Sequence, residues 1–401
     1  MSSSLPLPDA NALATSRLLE DRIRAEIDAK GGWISFARFM ELALYEPGLG
    51  YYSAGAAKLG ADPRDGSDFT TAPELSPLFA RALARPVAQV LAASAPEILE
   101  IGGGSGKLAA DLLLELERIN ALPERYALLE VSADLRARQK AMLAARAPHL
   151  AARVVWLDAL PERIAGAVIG NEVLDALPVQ WVVRKDAGWF ERGVCVDGVQ
   201  AFAYLDLPAG AGLQETIAEE LGSVPRLIEG YQTEIHGPAS AFVATLVERM
   251  ADDRTTAWFI DYGFPASEYY HPQRDQGTLM AHYRHRAHAG LLRWPGLQDL
   301  SAHVNFSAIA SAVRAAGGEV RGYASQAAFL IDCGIAALLD GTAGDAACWA
   351  PQAAALQMLL SEAEMGELFK VIAIGRRTDA EPAEPADSPI GFGTSDRRDS
   401  L

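Results

Sequence analysis

The stretch Glu100-Ile101-Gly102-Gly103-Gly104-Ser105-Gly106 constrains this chain more than any other. It follows a short apolar run, Ile98-Leu99-Glu100-Ile101, and precedes a helical pattern over 107–119. Glycines at such a strand–helix junction let the backbone turn tightly and let a ligand approach the main chain closely. A phosphate-binding loop would need glycine where Ile101 stands and Ser or Thr where Leu108 stands, so that reading fails. The dinucleotide fingerprint G-x-G-x-x-G, counted from Gly102, meets Lys107 where its third glycine belongs. Counted from Gly104 it meets Ala109, a weaker but open match. The pattern acid-x-G-x-G-x-G is met in full by Glu100, Gly102, Gly104 and Gly106. The plain alternative is a tight turn with no ligand.

Further apolar runs at 126–129, 154–157, 167–169, 257–260 and 369–374 read as strands. Helical patterns lie between them, as in βαβ units with a parallel sheet. Residues 179–207 differ: three strand-like runs broken by Asp-Ala-Gly and Asp-Gly turns predict a small antiparallel meander. Helices are expected near 213–221 and 238–251. The N-terminal part reads as helical, with Ser35 and the pair Ser76-Pro77 as helix starts. Residues 263–303 show no clear periodicity and are rich in His and Arg, which marks a functional loop.

The expected fold is α/β: a doubly wound, Rossmann-like core with an N-terminal helical extension and an inserted antiparallel β meander. The expected boundaries are 1–95 for the N-terminal helical and lid region and 96–178 for the first half of the core. The inserted meander and helices take 179–255, the second half of the core with a substrate loop 256–376, and a disordered tail 377–401. The tail follows from its Glu-Pro-Ala-Glu-Pro and Ser/Asp/Arg composition.

Half of the 401 residues are hydrophobic, enough to bury a sizeable core. The formal net charge of −17 disfavours nucleic acid and anionic membrane surfaces and favours basic partners. Cys195, Cys333 and Cys348 are odd in number and far apart, so no disulfide framework or zinc site is expected. The N-terminus lacks a secretory or transit pattern, and no apolar run reaches the roughly 18 residues of a membrane span. A reducing cytoplasm is the expected compartment. His282, His285 and His288 have ligand-like spacing but no cysteine or acid cluster beside them, so no metal site is expected.

The glycine pattern resembles the first motif of class I methyltransferases, which bind S-adenosylmethionine. On that resemblance Glu130, at the end of the second strand, would hold the ribose hydroxyls, and Asp158, after the third, would lie near the adenine. Open α/β sheets bind ligands at these carboxyl ends. Asn171-Glu172-Val173-Leu174-Asp175 follows the fourth strand, where such enzymes bind the acceptor. Two carboxylates with an adjacent amide suit a guanidinium, while a locally capped turn is the plain alternative.

More widely, the chain resembles the MidA-like class I methyltransferases, which assist assembly of respiratory complex I. The matching segments include Gly31-Gly-Trp-Ile-Ser-Phe36, Tyr45-Glu-Pro-Gly-Leu-Gly-Tyr-Tyr52, Gly66 to Ser76, Glu100 to Gly106, Asn171 to Pro178, Ile260-Asp-Tyr-Gly263, Gly277-Thr-Leu279, Asp299 to Phe306 and Glu364 to Val371. The resemblance covers about residues 20 to 375. It implies methyl transfer to an arginine of a protein such as a complex I subunit. It also implies a 66–76 segment that closes over the cofactor, bringing Thr71, Pro73 and Glu74 to it. Glu100, the glycines, Glu130, Asp158 and Asn171 would complete the cofactor site. Glu172 and Asp175 would hold the acceptor, and His303 would accept its proton or brace its loop. A small-molecule methyltransferase and a non-catalytic assembly factor stay open as alternatives.

Overall fold

The structure is a computed structural model describing residues 5–54, 70–186, 188–222, 224, 227–340, 346–377 and 389–401. It divides into two compact units. The first comprises Met1–Phe69, Asp175–Ser240 and Phe264–Ala308; the second comprises Thr70–Leu174, Ala241–Gly263 and Ile309–Leu401.

The second unit is the doubly wound core. Its strands are β1 (Glu97–Ile101), β2 (Arg125–Leu129), β3 (Val154–Leu157), β4 (Ala167–Asn171), β5 (Thr256–Phe264), β6 (Gly318–Ser325) and β7 (Phe369–Arg376). They lie in the order β3-β2-β1-β4-β5-β7-β6. β7 runs antiparallel to both of its neighbours, while β1 to β5 pair in parallel. The order reverses between β1 and β4, the switch point at which open α/β sheets bind their ligands. Ile98 and Leu99 of β1 and Ala167, Val168 and Ile169 of β4 are all buried, because helices cover both faces of a parallel sheet. Ile98, Leu108, Leu112, Tyr126, Ile169, Trp258 and Val371 belong to one buried cluster.

Ser76 opens the helix Pro77–Ala93, its hydroxyl accepting from the Leu78 amide at 3.1 Å, as the Ser-Pro pair led one to expect. The helices Gln326–Asp332 and Ile335–Asp340 are separated where Gly334 adopts φ 79°.

The first unit holds the helices Ala10–Ala29, Phe36–Tyr45 and Ala211–Leu221 and the expected meander. In its sheet, Gly188–Val196 pairs on one edge with Phe202–Pro208 and on the other with Gln180–Lys185 and Ile34–Ser35. A strand not read from the sequence, Gln232–Ile235, extends the sheet beyond Gln180–Lys185.

Three corrections follow. Residues 263–303 are not one structureless loop: Met280–Tyr283 pairs with both Arg286–His288 and Asp299–Ser301. The turn of that hairpin is Arg284-His285, both at positive φ (48° and 56°), so no Gly or Asn announces it. The 1–95 region is divided, since Met1–Phe69 belongs to the first unit and Thr70 onward to the second. Part of the expected tail is structured: Phe392 is buried against Phe329, with ring centroids 5.3 Å apart, and Arg398–Ser400 form a short helical turn. Residues 378–388 of that tail lie outside the described residues. Among the described residues no helix is long and apolar enough to cross a membrane.

Candidate active site

The glycine loop leaves β1 with Gly102, Gly104 and Gly106 all at positive φ (66°, 50° and 84°), a region that side-chain-bearing residues avoid. Space is equally restrictive. A Cβ on Gly106 would stand 2.8 Å from the Gln139 Cα, and one on Gly103 would stand 2.6 Å from Leu128. Beneath the loop lies Glu100, wholly buried, whose carboxylate accepts from the Tyr126 hydroxyl at 2.6 Å. Burial pushes the Glu100 carboxyl up to about 7, although the Tyr126 hydrogen bond opposes the shift.

The segment before the first core helix is tied to this loop. The Ser105 hydroxyl donates to the Glu74 carboxylate. The Lys107 ammonium donates to the Pro73 carbonyl at 2.7 Å and to Asp111 at 2.6 Å. Thr71 precedes the short helix Ala72–Leu75 as its cap residue. Thus Pro73 and Glu74 are bonded to the end of the glycine loop. Gly66 to Phe69 of the same expected lid lie outside the described residues.

Glu130 ends β2. One carboxylate oxygen accepts from the Ser132 amide at 2.8 Å and the other from the Gln139 side chain at 3.1 Å. Burial raises its pKa. A carboxylate has about four lone-pair directions, so acceptor capacity remains beyond these bonds. Asp158 is largely exposed and pairs with Arg136 at 2.6 Å, while the same guanidinium donates to the Glu130 carbonyl at 2.5 Å. Arg136 therefore ties the two strand ends together.

Asn171 is the last residue of β4, and its side-chain amide donates to Glu172 at 3.1 Å. The Asn171 side-chain oxygen is buried without a hydrogen-bond partner. Glu172 sits at φ 51°, and its amide donates to the Ile260 carbonyl at 2.8 Å. A non-glycine residue in this region carries backbone strain that the surrounding contacts must hold.

Asp175 and His303 belong to the first unit. Asp175 is buried, and its carbonyl accepts from the Ala302 amide at 3.1 Å, which brings it to the chain beside His303. The His303 amide donates to the Thr278 hydroxyl at 3.0 Å, and its ring meets Phe264 edge-on at 5.3 Å. The turn carrying Thr278 is held by Glu234, which accepts from the Thr278 and Leu279 amides at 2.8 and 3.0 Å and from Tyr269 at 2.7 Å. Burial lowers His236, bonded to Tyr269, to about 4, so it is neutral near pH 7. In the same unit Tyr52 donates to Asp299 at 2.9 Å and Tyr45 to the Ala176 carbonyl at 2.9 Å.

Sequence reasoning missed Ser105, Lys107, Arg136 and Gln139, which brace the nominated residues, and assigned no role to Asp261 or Glu234. Asp261 is the fully buried acid of the Ile260-Asp261-Tyr262-Gly263 segment on β5. It was open to the logic already applied to acids near the ends of β2 and β3.

A reversed seventh strand on a doubly wound sheet, with a left-handed glycine loop at its switch point and carboxylates at successive strand ends, defines a class I methyltransferase. Residues 78–324 match the profile of a family described as putative S-adenosyl-L-methionine-dependent methyltransferases, and the chain belongs to that family. A crystal structure from Burkholderia thailandensis, bound to S-adenosyl-homocysteine, is 52% identical; it aligns over 99% of this chain and 100% of that one, with a TM-score of 0.93. A zebrafish (Danio rerio) protein named protein arginine methyltransferase NDUFAF7, mitochondrial, is 28% identical over 376 residues, 86% of this chain and 83% of its own. A Caenorhabditis elegans homologue of the same name is 26% identical over 331 residues, 74% of this chain and 71% of its own.

The residues present fit S-adenosylmethionine. The loop provides glycine main chain at positive φ, Glu130 retains acceptor capacity, and the Asn171 oxygen is a buried acceptor without a donor.

Proposed function

We propose that this enzyme methylates an arginine side chain of a protein, with a subunit of respiratory complex I as the acceptor. The observation that carries the reading is Glu172, a carboxylate fixed at φ 51° at the switch-point end of β4 and bonded by Asn171. The names of the zebrafish and nematode relatives support the arginine. The net charge of −17 favours a basic segment as partner. We place the reaction in the cytoplasm, a setting that the free cysteines Cys195 and Cys333 fit.

S-adenosylmethionine supplies a methyl group already activated on a sulfonium, so the protein's work is binding and orientation. Gly102, Gly104 and Gly106 offer main chain to its amino-acid part, and Glu130 accepts from its ribose hydroxyls. Asp158 and Arg136 frame the adenine end. Thr71, Pro73 and Glu74 cover the site through the Ser105 and Lys107 contacts. Glu100 acts through the loop it supports. Asn171 bridges the cofactor side and Glu172. Glu172 orients the guanidinium and keeps its attacking nitrogen in line.

The test is to incubate the protein with methyl-labelled S-adenosylmethionine and a lysate from cells lacking it, then hydrolyse the labelled protein. Labelled methylarginine is the expected product. Label confined to metabolites, or to another amino acid, would overturn the arginine reading.

A further inference from the structure

Asp261 stands on β5 directly opposite the turn that carries Glu172, and its side chain is fully buried. One of its carboxylate oxygens accepts from two successive amides, Val173 at 3.1 Å and Leu174 at 2.9 Å. The other accepts from the Tyr262 amide at 3.0 Å. Just before these donors, the Glu172 amide reaches the Ile260 carbonyl at 2.8 Å. Three consecutive amides, 172 to 174, are therefore held by two consecutive residues of the neighbouring strand.

The parallel register of β4 and β5, with Asn171 opposite Ile260, brings these groups together. Gly170 keeps the approach close, since a Cβ there would stand 2.7 Å from the Phe259 ring. Without an acceptor, the buried Leu174 amide and the half-buried Val173 amide would be left unsatisfied and the turn would relax. The first residue to move would be Glu172, the one held in a strained backbone region.

We infer that Asp261 is a positioning residue: by clamping the amides of Val173 and Leu174 it holds Glu172 left-handed and aims its carboxylate at the acceptor. This rests on the reading of Glu172 as the acceptor-orienting residue. In this reading Asp261 acts through the turn it holds. A charged clamp suits the task better than an amide, because Asn presents one acceptor oxygen where three amides in two directions need two.

The test uses Asp261→Asn, Glu172→Gly and the double variant in the full chain, with S-adenosyl-homocysteine as the binding probe. Asp261→Asn is expected to lower the methylarginine yield from a lysate at least roughly tenfold, while the S-adenosyl-homocysteine Kd stays within about threefold of wild type. A yield within twofold of wild type, or loss of yield and cofactor affinity together, would overturn the inference.

Melting temperatures provide a readout independent of activity. Glycine accepts a positive φ without strain, so Asp261→Asn should lower Tm less beside Glu172→Gly than alone. Additive shifts, or failure to fold in both backgrounds, would show that Asp261 serves the sheet and not the turn. If wild type itself makes no methylarginine, the acceptor reading fails while the melting cycle still decides the clamp.

Discussion

The hydroxyl of Tyr126 donates to the carboxylate of Glu100 at 2.6 Å, and both side chains are buried under the glycine loop. Burial raises the Glu100 carboxyl from 4.5 to about 7, so the folded state holds its proton more tightly than the unfolded chain. That contribution to stability is complete below about pH 4.5 and is lost as pH rises through about 7. Glu100→Gln, which cannot ionise, should therefore gain on wild type across this window, by on the order of 3 kcal/mol at its upper end. Urea unfolding of both proteins without cofactor checks it; a constant difference at all pH values would mean that Glu100 does not titrate in this range.

Gly104 adopts φ 50° in the loop that we propose faces the cofactor. A β-branched side chain there is strained and fills the ligand's space. Gly104→Val should weaken S-adenosyl-homocysteine binding by more than roughly 100-fold, about 2.8 kcal/mol, with the fold retained. Calorimetry and circular dichroism on the same sample separate the two effects.

Ser105 links the glycine loop to Glu74. Ser105→Ala removes the donor and leaves a carboxylate facing the loop without it. Cofactor affinity should fall roughly tenfold, about 1.4 kcal/mol, with little change in the melting temperature of the cofactor-free protein. Unchanged affinity would separate the Thr71–Ser76 segment from cofactor retention.

Phe392 packs on Phe329 within the core of the second unit. Phe392→Ala should destabilise the protein by about 3 kcal/mol, the cost of a large buried cavity. Deletion of residues 389–401 should cost at least as much. No change in stability would mean that the segment is not part of the core.

The core was legible because its strands are short, apolar and bracketed by glycines and helical patterns; Ile98–Ile101 with Gly102–Gly106 is the plainest case. Other strands were hidden by composition. Gln232–Ile235 carries the buried carboxylate of Glu234, and Gly318–Ser325 interrupts its pattern with Arg321 and Gly322. The 280–301 sheet turns on Arg284-His285, which carry no turn signal. Phe392 was lost in a polar, proline-bearing context. The nominated carboxylates stand at strand ends, which periodicity can locate. Their supports Gln139 and Arg136 could not be read, because they reach Glu130 only through the packing of their helix against the sheet.

The most direct test of the central claim compares wild type with Glu172→Gln in two measurements on one preparation: calorimetric binding of S-adenosyl-homocysteine, and methylarginine formed from labelled S-adenosylmethionine. Gln keeps the size of the side chain but removes the charge that orients a guanidinium. The expected result is unchanged binding with transfer reduced at least roughly 100-fold. Full transfer by Glu172→Gln would contradict the account and remove Glu172 from the reaction.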